Sequence, residues 1–202
     1  MYTEYKIARD SAWKTLIEVQ IIQLPLRLSL IARYYNIQII SYSDSKLSHA
    51  NNEDGYSTKI NGRFIIYYNE QKPVQCIRFT LAHEIGHCLL GHVKENIKTF
   101  RYNSETDKYN DVKEIQANVF ARDILMPATV LHSLNASSAE DIAKICNVSM
   151  QSAEIRYKRL MELNKRGMYN THPLERQVYG QFKDYIEKEC RLRNNLHSDG
   201  EF

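Results

Sequence analysis

Thr80-Leu81-Ala82-His83-Glu84-Ile85-Gly86-His87-Cys88-Leu89-Leu90-Gly91-His92 contains the spacing His-Glu-x-x-His. On a helix, residues four apart lie about 40° apart around the axis and one turn up. His83 and His87 can therefore present two imidazoles to one ion. Glu84 sits about 100° round from His83, close enough to act on a water at the metal without being a ligand. Zinc lowers the pKa of such a water toward ~7 and polarises a carbonyl, and a glutamate takes the proton. Ile77, Phe79, Leu81, Ala82, Ile85, Cys88, Leu89 and Leu90 make this helix apolar almost all round, so it should be buried. Two histidines and a glutamate on a buried helix need partners. A metal with its water supplies them; a pair of hydrogen-bonded core histidines is the alternative.

The rest of the composition sets the frame. A chain of 202 residues allows one sizeable domain, or one domain with a small appendage. Hydrophobic residues at 43% and charged residues at 25% are ordinary for a globular protein. A net charge of +3 is too weak to argue for nucleic acid by itself. Met1-Tyr2-Thr3-Glu4-Tyr5-Lys6 has no apolar signal-peptide core. The best apolar run, residues 19–35, is broken by Pro25, Arg27 and Arg33, so no membrane span is expected. Cys76, Cys88, Cys146 and Cys190 are scattered without a C-x-x-C pair. These features fit a reduced, cytoplasmic protein.

Upstream of the metal helix, residues 11–20 read as a helix capped by Asp10 or Ser11, with Trp13, Leu16 and Ile17 facing the core. Pro25 suits a first turn, and residues 26–35 read as a second helix that Asn36 could end. The isoleucine-rich residues 37–42 read as a strand, and residues 43–54 as a polar loop. Residues 56–60 and 64–68 flank Asn61-Gly62-Arg63, a strong hairpin signal. Pro73 precedes the metal helix, expected over residues 74–90 and stopped by Gly91. The order is helices, a small mostly antiparallel sheet, then the metal helix: an α+β pattern rather than alternating βαβ units. Residues 94–110 read as a loop, and residues 112–126 as a second strong helix stopped by Pro127. No internal repeat is visible.

A catalytic zinc usually takes three protein ligands. The extended pattern His-x-x-Gly-x-x-His fails, because positions 90 and 93 are Leu90 and Val93. His92 is one residue off and past the glycine, which reads as a helix-end residue. The other source is the later helix, where Glu114, Asn118, Ala121 and Leu125 share a face with Ala117 at its edge. The alanines would let this helix approach closely, with Glu114 as third ligand. Asn118 could then accept a hydrogen bond from the far nitrogen of a zinc histidine. The competing reading makes Asp111-x-x-Glu114 a capping box. Gln116 points to a different face.

These residues carry a family resemblance. Arg78-Phe79-Thr80-Leu81-Ala82-His83-Glu84-Ile85-Gly86-His87 with Leu89-Leu90-Gly91-His92 resembles the metal helix of the ImmA/IrrE metallo-endopeptidases. Glu114-x-Gln116-Ala117-Asn118-x-Phe120-Ala121-x-x-Ile124-Leu125-Met126-Pro127 resembles that family's second signature. Leu24-Pro25 leading a helix into a strand, then Gly55-Tyr56 and a hairpin, follow the family's order. The resemblance covers about residues 10–165 and implies a zincin-like fold, zinc on His83, His87 and Glu114, and Glu84 as catalytic base. Gln116 departs from it, since relatives often carry a second glutamate there. Members are typically intracellular and often encoded by phages or mobile elements. The characterised type cleaves a helix-turn-helix repressor, and another branch acts in the response to DNA damage.

After Pro127, Ser137-Ser138-Ala139-Glu140 reads as a capping box opening a helix to about residue 145. Asn147-Val148-Ser149 is a turn, and Ser149 caps a helix to about residue 163. Together they resemble a helix-turn-helix, which the family often carries here. Arg156, Lys158, Arg159, Lys165 and Arg166 make the second helix basic, with Glu154 and Glu162 interrupting it. That permits DNA binding, but a scaffold or docking surface with a solvated basic face is the favoured reading. Residues 174–192 read as a terminal helix on Val178, Phe182, Tyr185 and Ile186, with residues 193–202 frayed.

The expected organisation is a zincin-like metallopeptidase domain over residues 1–133 and a helical region over residues 134–202. The leading expectation is a zinc metallopeptidase acting on a protein, in particular a helix-turn-helix repressor of the same element. Tyr102, Tyr109 and His132 are candidates for stabilising the oxyanion. The rival is a non-proteolytic zinc-containing regulator that binds DNA through the basic helices. The oligomeric state is open.

Overall fold

Asn61 and Gly62 both have positive φ, 50° and 77°. A two-residue hairpin turn with both central residues in that region matches the twist of its strands. It joins β2 (Gly55–Ile60) to β3 (Arg63–Tyr68), with Ile60 opposite Arg63 and Gly55 opposite Tyr68. β1 (Gln38–Ser41) lies on the other side of β3, giving the order β1-β3-β2. β1 runs parallel to β3, with Ile39 opposite Ile66. The sheet is therefore mixed rather than mostly antiparallel. A four-residue strand carries no signal for the direction of its partner, whereas a tight turn does.

The computed structural model describes residues 2–45, 54–95 and 112–198. All but the first two residues of the loop expected over residues 94–110, including Tyr102 and Tyr109, and the capping role of Asp111 lie outside the described residues.

α1 (Tyr2–Glu18) starts well before the expected residue 11. Asp10 and Ser11 are inside it, not at its cap: Asp10 pairs with Arg9 at 2.7 Å, and the Ser11 carbonyl accepts from Thr15 Oγ1 at 2.9 Å. Ala8, Ala12 and Leu16, four apart, are fully buried and carry one apolar stripe through both halves. α2 (Leu28–Tyr34) begins three residues after Pro25, so Pro25 is not in its first turn. Asn36, at φ 53°, ends it in the left-handed conformation that asparagine tolerates.

α3 (Val74–Leu89) carries the His-Glu-x-x-His stretch and is closed by Gly91 at φ 75°. α4 (Val112–Leu125) stops ahead of Pro127, and α5 (Ala128–Ser133) follows, a short helix with no separate signal in the sequence. α6 (Ala139–Cys146) is capped one residue later than the expected Ser137–Glu140 box. Ser138 Oγ accepts from the Asp141 amide at 3.1 Å, while Asp141 Oδ2 accepts from the Ser137 amide at 2.9 Å. Asn147 at φ 51° turns the chain into α7 (Met150–Arg166), whose cap Ser149 accepts from the Ser152 amide at 3.2 Å. α8 (Pro173–Ser198) continues through residues expected to fray.

α4 is the centre of the stack. It packs between α1 and α3, α3 also covers the sheet, and α8 lies on α1 and α5. One continuous core runs from Ala12 and Leu16 through Ile85, Phe120 and Ile124 to Leu160, Val178 and Phe182. Side chains from both sides of residue 133 share it. Arg156 of α7 is 1% exposed and pairs with Asp123 of α4 at 2.9 Å. It is thus removed from the expected basic face, because an internal carboxylate demanded a cation. Arg159 is paired with Glu162 on its own helix. Among the described residues, no helix is long and apolar enough to cross a membrane.

Candidate metal centre

α3 meets α4 through missing side-chain volume. A Cβ on Gly86 would lie 3.0 Å from Phe120 Cδ1 and 3.2 Å from Phe120 Cβ. Ala117 and Ala121 of α4 are fully buried beside it. This close approach lets the first turn of α4 reach the histidines of α3. On the other side, a Cβ on Gly55 would meet Thr80 Cγ2 at 2.7 Å, so the start of β2 also lies hard against α3. Arg78 then fastens the helix. It donates to the Asn147 carbonyl at 3.0 Å, the Cys146 carbonyl at 3.3 Å and the Leu26 carbonyl at 3.1 Å. Two of those acceptors belong to the C-terminal end of α6, where carbonyls lack helical partners.

His83 and His87 are 0% and 3% exposed. Their Nε2 atoms lie 3.0 Å apart. Glu114 Oε2 is 3.2 Å from His83 Nε2, and Oε1 is 3.1 Å from His87 Nε2. Zinc bonds of about 2.0–2.1 Å in tetrahedral array separate their ligand atoms by about 3.3 Å. The two imidazole nitrogens, and each nitrogen with its own Glu114 oxygen, therefore already stand near the spacing of ligands that share one ion, and His83, His87 and Glu114 are the one such group found among the described residues. Two imidazoles and a carboxylate are also the donor set that suits zinc.

Each histidine is gripped from behind. His83 Nδ1 lies 3.0 Å from Asn118 Oδ1. An amide oxygen only accepts, so Nδ1 carries the proton and Nε2 keeps its lone pair toward Glu114. His87 Nδ1 lies 3.0 Å from His92 Nδ1, and His92 Nε2 lies 3.0 Å from Gln116 Oε1. His92 is not among the metal-facing donors, in line with its reading as a helix-end residue. Its contacts were missed nonetheless, as were those of Gln116. Gly91 carries the chain back so that His92 is 8% exposed and faces inward.

Glu84 is 1% exposed, and its Oε2 accepts from Ser57 Oγ at 2.8 Å. Ser57 itself is fully buried on β2. No motif marked it; the available signal was a small polar residue inside an otherwise buried strand. Cys88 lies nearby, and burial, then the Glu84 charge, push its thiol up, so it stays neutral. Of the candidates for an oxyanion donor, His132 is placed elsewhere. It stacks on Tyr169 at 3.8 Å and lines a cleft of about 760 Å³ with Tyr157, Leu160 and Asn164.

Comparison with known proteins adds an independent finding. The M78 peptidase family model, described as the IrrE N-terminal-like domain, matches residues 32–158. No curated protein matches the chain. The matched span is more than half of the chain and takes in β1 to β3, α3 and α4, hence His83, Glu84, His87, Glu114 and Asn118. The chain belongs to the M78 peptidase family, and residues 32–158 form its metallopeptidase-like, IrrE N-terminal-like domain.

Proposed function

We propose that the protein is a zinc-dependent endopeptidase, with His83, His87 and Glu114 as zinc ligands and Glu84 as general base. The observation that carries this reading is the convergence of His83 Nε2 and His87 Nε2, 3.0 Å apart, each within 3.1–3.2 Å of one of the two Glu114 carboxylate oxygens, beside Glu84 on the same buried helix as the histidines. Bound there, zinc would supply a Lewis acid that makes water a nucleophile near neutral pH and polarises a peptide carbonyl. Glu84 takes the proton from the attacking water, and the new C–O bond forms at the carbonyl carbon. Glu84 then passes that proton to the departing amine as the C–N bond breaks. Ser57 holds one Glu84 oxygen and fixes the direction of the carboxylate. Asn118 holds His83 in the tautomer that leaves Nε2 to the metal.

The substrate we propose is a helix-turn-helix repressor encoded by the same phage or mobile element. Membership of the M78 peptidase family supports this. The C-terminal helices serve this reading as scaffold: Arg156 is spent on Asp123 and Arg159 on Glu162. The test is co-expression of the chain with neighbouring repressors, comparing wild type with Glu84→Gln. Glu84→Gln should lose cleavage by about 10²–10⁴-fold while binding as much zinc. Full cleavage by that variant would overturn the assignment of the base.

A further inference from the structure

Behind His87 the hydrogen bonds do not stop at His92. Gln116 Nε2 donates to Glu4 Oε2 at 2.7 Å, so four side chains form one chain: Glu4, Gln116, His92, His87. Its direction is fixed from the outer end. An ionised carboxylate only accepts, so Glu4 must face the amide nitrogen of Gln116. That turns the Gln116 carbonyl toward His92, which must therefore donate from Nε2. His92 Nδ1 is then a bare acceptor, and His87 must donate to it from Nδ1. His87 Nε2 is left as a lone pair directed at His83 and Glu114.

We propose that Glu4, Gln116 and His92 are positioning residues that set the tautomer and ring orientation of His87 for metal binding, from a carboxylate three side chains away. This rests on the zinc-site reading above. The two histidines are thus held unequally. His83 leans on one neutral amide, while His87 is polarised by a charge delivered through two links. Groups of this kind behind metal ligands are typically worth about 10–100-fold in metal affinity. A structural role alone would change the stability of the fold and leave the affinity for metal where it was.

The experiment measures Zn²⁺ affinity by competition with a chromophoric chelator, and the His92 tautomer by ¹⁵N NMR. It uses wild type, Gln116→Leu, Glu4→Gln, and Glu4→Gln with Gln116→Glu. The expected results are His92 protonated on Nε2 in wild type, and Zn²⁺ bound about tenfold or more weakly by Gln116→Leu. Glu4→Gln should be weaker by a smaller factor. The double variant should regain wild-type affinity, because its carboxylate sits directly on His92. Unchanged affinity in Gln116→Leu, His92 protonated on Nδ1 in wild type, or no recovery in the double variant would overturn the proposal. Failure of wild type itself to bind Zn²⁺ would instead overturn the zinc-site reading, and this proposal with it.

Discussion

Asn118 does for His83 what a single hydrogen bond can do. It accepts from Nδ1 at 3.0 Å and so settles which ring nitrogen is bare. Asn118→Leu removes that acceptor and leaves a buried ring free to flip its tautomer. Zinc affinity measured by chelator competition should fall by about 10–100-fold, with the melting temperature of the metal-free protein little changed. The alignment of donors along each helix was legible in the sequence because it is local, whereas the meeting of Glu114 with the two histidines depends on how α3 and α4 pack. Four residues separate His83 from His87, and four separate Glu114 from Asn118, so helix geometry alone aligns each pair. Ser57, His92, Gln116 and Glu4 were not legible in the same way. Ser57 is 27 residues from Glu84, and Glu4 is 112 from Gln116. Their partners are chosen by how elements pack, which one-dimensional spacing does not encode.

Elements are held in place by the contact between α3 and α4. Phe120 fills the space that a side chain at position 86 would need. Gly86→Ala should therefore destabilise the protein by about 1–3 kcal/mol through overpacking, although alanine is the better helix former. Chemical denaturation measures this. Combining Gly86→Ala with Phe120→Leu should cost less than the sum of the two single changes, since leucine makes room for the methyl group; strict additivity would show that the two residues do not compete for space. At this scale the sequence was informative where a turn or a stop is local. The Asn61-Gly62 hairpin, the end of α3 at Gly91 and the end of α4 before Pro127 lay where expected. It misled where an element's extent carries no local stop signal. α1 was cut short because Asp10 and Ser11 looked like caps, and α8 because polar residues after Leu192 looked like a tail. The pairing partner of β1 was likewise invisible.

At the scale of the whole molecule, a buried charge cluster ties α7 to α4. Asp123 is 4% exposed, with Arg156 at 2.9 Å and Arg122 at 2.7 Å. Burial pushes the Asp123 pKa up, but the two arginines outweigh it and the net shift is downward. A carboxyl with a lowered folded-state pKa stabilises the fold above its unfolded value of about 4 and loses that contribution as pH falls through the folded value. Asp123→Asn leaves Arg156 buried without its counter-charge. It should cost about 3–5 kcal/mol near neutral pH, a drop in melting temperature on the order of 10 °C for a chain of this size. Melting curves for wild type and variant should stay apart from pH 7 down to about pH 4 and draw together only below it, as pH falls through the lowered folded-state value and the wild-type carboxyl also becomes neutral. Parallel curves at all pH values would mean that the pair does not carry the difference. Metal should act in the opposite sense: excess zinc at 100 times its dissociation constant should add about 2.7 kcal/mol.

The family match begins at residue 32 and ends at 158, so α1 and α8 fall outside it. Yet α1 covers α4, and Gln181 of α8 ties down the carbonyls of Leu16 and Ile21 at 2.8 and 2.6 Å. Excising residues 32–158 as a minimal enzyme would strip the covering from the helix that bears Glu114. The fragment would present raw apolar surface to solvent and clump. Anyone trimming the chain for crystallisation or assay should keep both terminal helices, and an N-terminal purification tag should carry a spacer so that the first turn of α1 is left undisturbed.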